Sequence, residues 1–173
     1  MRHMTTYKIK VIELSDLSPQ LLEELADLLV DVVADGASIG FLPPLDRDEA
    51  RAYWKHVIEP GVHLWIGICG ERLVGTVQLH LAMKPNGSHR AEIAKLMVHP
   101  SGRRNGVARM LMQAAENRAK QLGRSLLILD TRAGDPSNLL YRSIGYTEAG
   151  SIPNFARSAD GSLAATVIYY KSI

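Results

Sequence analysis

The stretch VHPSGRRNGVAR, residues 98–109, decides the fold of this chain. An apolar strand ends at a proline, a basic glycine-containing loop follows, and a helical pattern begins within that loop. The first turn of a helix exposes backbone N–H groups at the positive end of the helix dipole. Gly106 and Ala108 are small, so an anion can approach this backbone closely. Further positive charge comes from Arg103, Arg104 and Arg109. The residues alone allow either a diphosphate site or a solvated basic helix start.

Hydrophobic patterning on the N-terminal side of this stretch predicts strands and two helices. Ser18 as N-cap and Pro19 at the first helical position begin the first helix, and Gly36 ends it. In chain order we predict a strand (Tyr7 to Leu14), this helix, an irregular loop (35–46), a helix from Asp46 to about Ile58, a hairpin (63–69 and 72–83) and a third strand (90–98).

On the C-terminal side, the patterning alternates between helix and strand. We predict a long helix (104–122), a short apolar strand (126–130), a helix (136–144), a strand (146–149), an irregular crossing rich in Gly, Pro and Asn, and a final strand (164–171). Because a helix connects them, strands 90–98 and 126–130 are expected to pair in parallel. The order predicts an α/β fold with a mixed, mostly antiparallel sheet and helices on both faces, in a single domain of residues 1–173.

The composition is that of an ordinary soluble protein. The 173 residues are 46% hydrophobic and 22% charged. The single cysteine, Cys69, excludes an intramolecular disulfide and a cysteine-based zinc site, and the six histidines have no metal-ligand spacing, so we expect no metal. The apolar stretches are too short for a membrane span or a signal peptide. We therefore expect a cytoplasmic protein with no membrane partner.

Charge is unevenly distributed along the chain. Residues 89–132 hold nine Lys or Arg against three acidic residues, whereas the rest of the chain is net acidic. A basic segment in an acidic protein predicts an anionic ligand at one place. The segment lacks interleaved aromatic residues and long Lys/Arg runs, so a phosphorylated small molecule is favoured over nucleic acid.

Two motifs resemble those of the GCN5-related N-acetyltransferases, the GNAT family. Arg103-x-x-Gly106-x-Ala108 resembles the family's motif A, and the stretch LYRSIGY, residues 140–146, resembles its later Leu-Tyr-x-x-x-Gly-Phe/Tyr pattern. The resemblance covers about residues 7–171. It implies an N-acetyltransferase that uses acetyl-CoA, with the parallel strand pair splayed at the acetyl-CoA site.

The resemblance also implies which residues hold the cofactor. The pantetheine would pair with the backbone of Leu96, Met97 and Val98. The diphosphate would sit near Arg103 and on the helix start formed by Arg104, Asn105, Gly106, Val107, Ala108 and Arg109. Many members carry an Asn seven residues before the motif tyrosine, where this chain has Gly134. We expect Asn138 to replace that contact.

Acetyl transfer to an amine requires the amine to lose a proton, because an ammonium with a pKa near ~10 is not nucleophilic. Glu92 and Asp130 are the candidate bases, since carboxylates on otherwise apolar strands are unusual. Alternation would place Glu92 on one strand face with Leu96 and Val98. Either carboxylate could instead bind the substrate's ammonium. The structural alternatives are an edge residue or ion pair for Glu92 and a cap or ion pair for Asp130.

The remaining candidates follow from the same resemblance. Tyr141 would protonate the leaving thiolate, with a packed aromatic as its structural alternative. A bulged N–H near Met97 or Val98 could stabilise the oxyanion. The loop between the first two helices lines the acceptor site in the family, which makes Asp35, Ser38 and Phe41 candidate substrate contacts.

Short identities such as KLMV, residues 95–98, resemble the tabtoxin-resistance branch of the family, whose acceptor is an amino-acid-like β-lactam toxin. We therefore expect direct acetyl transfer from acetyl-CoA to a small-molecule primary amine, in toxin resistance, by a monomer or homodimer. The first alternative is a protein N-terminal or lysine acetyltransferase. The others are a non-catalytic CoA-binding sensor and a DNA-binding protein.

Overall fold

One seven-stranded sheet organises this computed structural model, which describes residues 8–173. The strands are β1 (Ile9–Leu14), β2 (Val62–Cys69), β3 (Arg72–Leu81), β4 (Arg90–Val98), β5 (Leu126–Arg132), β6 (Thr147–Arg157) and β7 (Leu163–Ser172). The helices are α1 (Pro19–Ala34), α2 (Arg47–Lys55), α3 (Val107–Gln121) and α4 (Ser137–Ser143). The strand order is β1-β2-β3-β4-β5-β7-β6. β4 and β5 pair in parallel and the other neighbours are antiparallel, which confirms the predicted α/β fold.

The two faces of the sheet carry separate apolar clusters. Residues of α1 and α2 pack with Leu64 and Ile66 of β2 on one face, whereas α3 packs on the other face against residues of β3, β4 and β5. The start of α1 forms as the sequence predicts, because the Ser18 hydroxyl accepts a hydrogen bond from the Leu21 amide at 3.2 Å. Within the described residues, no helix is long and apolar enough to cross a membrane.

The parallel pairing of β4 and β5 is short. It runs from Arg90 opposite Leu126 to Glu92 opposite Ile128 and stops there, although both strands continue. Beyond this point the strands diverge and leave a gap in the sheet. The splayed pair that the family resemblance implied is therefore present.

A β-bulge in β4 changes which residues share a face. Ala94 lies opposite Gln78 and Met97 lies opposite Thr76, so β4 has one residue more than β3 in this interval. The bulge is centred on Lys95, whose φ is +54°. It reverses the alternation: Ile93, Leu96 and Val98 pack towards α3, and Met97 packs towards α1.

Our expectation that Glu92 shares a face with Leu96 and Val98 is therefore wrong. Glu92 lies on the α1 side, and the bulge brings Met97 to that side and turns Leu96 and Val98 to the other. The bulge also falls earlier than the position near Met97 or Val98 that we expected.

Several element boundaries differ from those predicted. α3 begins at Val107 rather than at 104, because Arg104 (φ +62°) and Gly106 (φ +79°) have left-handed backbone conformations that cannot belong to a helix. α2 ends at Lys55 rather than near Ile58. The predicted strand start at Tyr7 lies outside the described residues, and β1 begins at Ile9.

The predicted irregular crossing after residue 149 is wrong. Residues 147–157 form one edge strand, β6, that pairs with β7 on both sides of two irregularities. Its register shifts between Glu148 and Gly150 and again between Ile152 and Ala156, where Pro153 and Asn154 lie. Proline has no backbone N–H to donate to a neighbouring strand. It is tolerated on an edge strand and at a bulge, because strand pairing does not need that N–H there.

Candidate active site

A cavity of about 660 Å³ opens where β4 and β5 diverge. This volume is in the range of small-ligand sites, roughly 300–1,000 Å³. Its wall is formed by β4, by the ends of β5 and α1, by the loop after α1 and by α4. The charged residues that line it are Asp35, Glu92, Lys95, Arg103, Asp130, Arg132 and Asp135.

Four of these charged groups neutralise each other in pairs. The Arg103 guanidinium donates to the Asp35 carboxylate at 2.7 Å, and the Arg132 Nε donates to Asp135 at 3.0 Å. Two carboxylates and one ammonium remain, those of Glu92, Asp130 and Lys95. The balance is one negative charge, which favours a cationic acceptor over an anionic one.

Glu92 and Asp130 are brought to the same cavity, as the sequence predicted. Glu92 ends the paired part of β4, and Asp130 lies two residues past its partner Ile128 on β5. Burial raises the pKa of the Glu92 carboxyl, and the nearby Asp130 carboxylate raises it further. The Thr166 hydroxyl donates to Asp130 at 2.8 Å and fixes its orientation.

Neither carboxylate has the structural role that we weighed against catalysis. Among the described residues, neither Glu92 nor Asp130 forms a salt bridge, and Arg132 pairs with Asp135 instead. Both are exposed to the cavity, so both can meet a ligand there.

Tyr141, on α4, lines the same cavity, and only 5% of the residue is exposed to solvent. Its ring packs against those of Tyr146 and Tyr169, with centroids 5.9 Å away in each case. Burial raises the pKa of its hydroxyl far above the ordinary value, and the Asp130 carboxylate adds to the shift. A tyrosine hydroxyl is protonated at neutral pH even at its ordinary pKa of about 10, so Tyr141 is available as a proton donor.

The proposed cofactor end of the cavity begins at the end of β4. Leu96, Met97 and Val98 line it, as do Arg103 and Ala108. The first helical hydrogen bond of α3 runs from the Met110 amide to the Gly106 carbonyl, so the amides of residues 107–109 precede the bonded ladder. A Cβ added at Gly106 would meet nothing within 4 Å, so this backbone has open space in front of it.

These features fit the diphosphate of acetyl-CoA, because free amides at a helix start and open space beside a glycine are what a phosphate needs. Arg104, Asn105 and Arg109 are exposed beyond the cavity lining, and Arg109 donates to the Ser143 hydroxyl at 3.0 Å. The side chain of Val107 is buried in the core against the sheet, so only its backbone can contact a ligand.

Asn138 does not serve the expected purpose. It is buried, and both N–H bonds of its amide are used, one to the Arg132 carbonyl and one to the Asp135 carbonyl, each at 2.9 Å. Its oxygen accepts from the Tyr169 hydroxyl at 2.8 Å. The side chain fastens the turn between β5 and α4, and we leave it out of the proposed cofactor site.

The predicted acceptor residues lie in the loop after α1. Asp35 and Ser38 line the cavity, whereas Phe41 does not. The Phe41 ring packs edge-on against Tyr53 of α2, with centroids 5.2 Å apart. The structure therefore brings two of the three predicted residues to the site and gives Phe41 a packing role.

Sequence reasoning missed several polar residues of the cavity, among them Lys95, Arg132 and Thr166. Lys95 is a charged residue among the apolar residues of its strand, and this contrast could have marked it as a candidate site residue from the sequence. Arg132 donates to the Gly36 carbonyl at 2.9 Å and so connects β5 to the loop after α1. Thr166 lies on β7 and carries no signal in the sequence, because only strand pairing brings it to Asp130.

Other chemistry finds little support in the described part of the chain. No group of three or more His, Cys, Asp or Glu residues could hold a metal ion there. Cys69 ends β2 and does not line the cavity, so it is not placed to act as a nucleophile.

Comparison with known proteins identifies the family. The model of the acetyltransferase (GNAT) family matches residues 23–146. An uncharacterized N-acetyltransferase from the hisH-hisA intergenic region of Azospirillum brasilense is 30% identical over 135 residues, which cover 76% of this chain and 77% of the relative.

Solved structures share the fold. A ribosomal-protein-alanine N-acetyltransferase from Brucella melitensis has a TM-score of 0.78 at 18% identity, over 94% of this chain and 99% of that one. The yncA protein of Salmonella typhimurium, solved with acetyl-CoA as its cofactor, has a TM-score of 0.77 at 14% identity, over 95% and 93%. The family match and the relative establish that this chain belongs to the acetyltransferase (GNAT) family and is an acyltransferase with acetyl-CoA as its cosubstrate.

Proposed function

We propose that this protein transfers an acetyl group directly from acetyl-CoA to the primary amine of a small molecule. The observation that carries the proposal is the convergence of Glu92, Asp130 and Tyr141 on one cavity of about 660 Å³. A base, an ammonium-binding carboxylate and a proton donor are the groups that this reaction requires. One continuous sheet from β1 to β7 supports treating residues 1–173 as one acetyltransferase domain.

Each residue has a defined task in the proposed reaction. Asp130, oriented by Thr166, holds the acceptor's ammonium. Glu92 accepts the proton that the ammonium must lose. The amine nitrogen then forms a bond to the thioester carbon, and the carbon–sulfur bond breaks as Tyr141 donates its proton to the leaving sulfur. The nitrogen loses its second proton to the tyrosinate, which restores Tyr141, and Glu92 releases the first proton to solvent. Backbone N–H groups that follow the bulge, near Met97 or Val98, are candidates to stabilise the negative charge on the carbonyl oxygen.

The proposal also includes the chemical class of the acceptor amine. The resemblance of residues 95–98 to the tabtoxin-resistance branch supports an amino-acid-like acceptor and a role in toxin resistance. The Brucella relative, whose name gives a ribosomal protein as its substrate, supports the alternative of a protein N-terminus. The size of the cavity, about 660 Å³, is that of a small-ligand site and favours the small molecule.

The test is a turnover assay that measures thiol release from acetyl-CoA. Amino acids, polyamines, aminoglycosides, β-lactam amino acids and peptides with free N-termini would be compared as acceptors. We expect a small amine to give the highest kcat/KM. Faster turnover of the peptides would replace our proposal with a protein acetyltransferase, and binding of acetyl-CoA without turnover of any acceptor would favour a sensor.

One prediction concerns the cofactor end. Replacing Gly106 by alanine is expected to weaken acetyl-CoA binding by about 10-fold, because the new Cβ would fill the open space in front of the helix start. Isothermal titration of the purified variant measures this. The matched control is Gly123→Ala at the other end of α3, where φ is also positive (+71°) and the space is also open.

Both substitutions force alanine into a left-handed conformation at a cost of about 1 kcal/mol. They should therefore lower stability alike, and the two variants should differ only in acetyl-CoA affinity. Equal affinity in the two folded variants would remove the proposed diphosphate site from the start of α3.

A further inference from the structure

Lys95 lies in the wall of the cavity, at the bulge of β4. Its φ of +54° is unfavourable for a residue with a side chain, by about 1 kcal/mol. A strained conformation of this kind persists only where the surrounding structure holds it, and such positions cluster at functional sites. The contacts of the side chain therefore indicate what the bulge is for.

Those contacts join the strand to the loop after α1. The Lys95 ammonium donates to the Ile39 carbonyl at 2.6 Å and lies 5.8 Å from the centre of the Phe41 ring. Phe41 in turn packs against Tyr53 of α2. One side chain thus fixes the distance between the bulge of β4 and the loop of residues 36–41, of which residues 36–40 line the cavity.

Gly40 makes this close approach possible. A Cβ at position 40 would lie 3.0 Å from the Lys95 Nζ, which is tighter than an ordinary contact. Its φ of +94° also favours glycine. The glycine at position 40 thus leaves room for the lysine ammonium beside the loop.

The lysine also belongs electrostatically to the reaction site. Burial lowers the pKa of its ammonium, and the carboxylates of Asp130 and Glu92 offset part of this effect. Ile39, Gly40 and Glu92 line the same cavity. Movement of the loop would therefore change the space available next to the two carboxylates.

We propose that Lys95 is a positioning residue that determines acceptor specificity by holding the cavity wall of residues 36–40 against the bulge of β4. The wall limits the site to compact primary amines and excludes bulky or branched ones. This inference rests on the proposed acetyl transfer, because it assigns residues 36–40 to the acceptor. Lys95 takes no part in the proton transfers.

The test perturbs the contact from both sides. Lys95→Met keeps most of the side-chain volume and removes the charge-assisted hydrogen bond, and Gly40→Ala pushes the ammonium away from the Ile39 carbonyl. We expect each to raise KM for a compact amine by about 10-fold, with kcat within about twofold and acetyl-CoA affinity unchanged. Selectivity for compact over branched amines should fall in both.

Two controls separate this role from general damage. Gly161→Ala, in the turn between β6 and β7, has a similar positive φ (+86°) and open space, so it reports the cost of strain alone. The double variant Lys95→Met/Gly40→Ala should raise KM no further than Lys95→Met does, because both changes break one contact. Additive effects would overturn the proposal.

A measurement without substrates keeps the inference distinct from the proposed function. Backbone amides of residues 36–41 should exchange hydrogen faster in Lys95→Met than in the unmodified protein, with the amides of α3 unchanged. Unchanged exchange in the loop would overturn the positioning role whatever the enzyme acetylates. A fall in kcat with unchanged KM would also overturn it, since Lys95 would then act on the chemical step.

Discussion

Replacing Tyr141 by phenylalanine is expected to lower kcat by about 100-fold, the effect of losing one general acid. The phenol is protonated at neutral pH, as burial only raises its pKa further, and Tyr141 lines the cavity that holds both carboxylates. The phenylalanine ring would keep the packing against Tyr146 and Tyr169, so stability should change little. Rapid-quench measurement of a single turnover gives the rate of the chemical step directly.

The binding of acetyl-CoA should remain within about twofold in this variant, because the lost hydroxyl acts only as the sulfur leaves. Tyr170→Phe is the matched control, since Tyr170 is exposed on β7 and does not line the cavity. An unchanged single-turnover rate in Tyr141→Phe would make Tyr141 a packed aromatic and exclude it from the mechanism.

The proposed cofactor end of the site could be predicted from sequence because its signals are local. Pro100 ends the strand, the glycine and arginines follow within a few residues, and the helical pattern starts next to them. The parallel pairing of β4 and β5 followed from one connection rule. Such features depend only on residues or elements that are adjacent in the chain, so they can be predicted from the sequence.

The bulge at Lys95 could not be predicted in this way. A positive φ normally calls for glycine or asparagine, and here it is held by contacts with a loop more than fifty residues away. Every later residue of β4 changes face as a result. The expectation that Leu96 and Val98 share a face with Glu92 was therefore wrong, although Glu92 lines the cavity.

The errors at β6 and Asn138 have the same physical origin. Pro153 and Asn154 have the composition of a loop, but the edge of a sheet tolerates them. Asn138 has an amide side chain of the kind that often contacts a ligand. Its oxygen instead accepts a hydrogen bond from Tyr169, which lies more than thirty residues away in the chain. Long-range partners decided both outcomes, and a single sequence does not show them.

The two carboxylates lead to the second large effect. We expect Glu92→Gln to lower kcat/KM by about 100-fold and to leave the amine KM almost unchanged, because glutamine has nearly the same shape but cannot accept the proton. Burial and the Asp130 carboxylate raise the pKa of Glu92, which suits a base that must work near neutral pH. Glu71→Gln, in the exposed turn between β2 and β3, is the matched control.

The pH profile tests the same assignment. Glu92 is active as the carboxylate, so kcat/KM should rise with pH through its pKa, which lies above the usual range of a glutamate. In Glu92→Gln this acidic limb should disappear. In Asp130→Asn the neighbouring negative charge is lost, the pKa of Glu92 falls, and the limb should move to lower pH.

Asp130→Asn should otherwise act on binding. The carboxylate that Thr166 orients would hold the ammonium, so its loss should raise the amine KM by about 10-fold or more, with a smaller change in kcat. Initial rates across pH for both variants, with acetyl-CoA saturating, separate the two roles. A raised KM in Glu92→Gln with a lost acidic limb in Asp130→Asn would reverse the assignment. Full activity and one pH profile in both variants would contradict the two-carboxylate mechanism, and the proton would then have to leave directly to solvent.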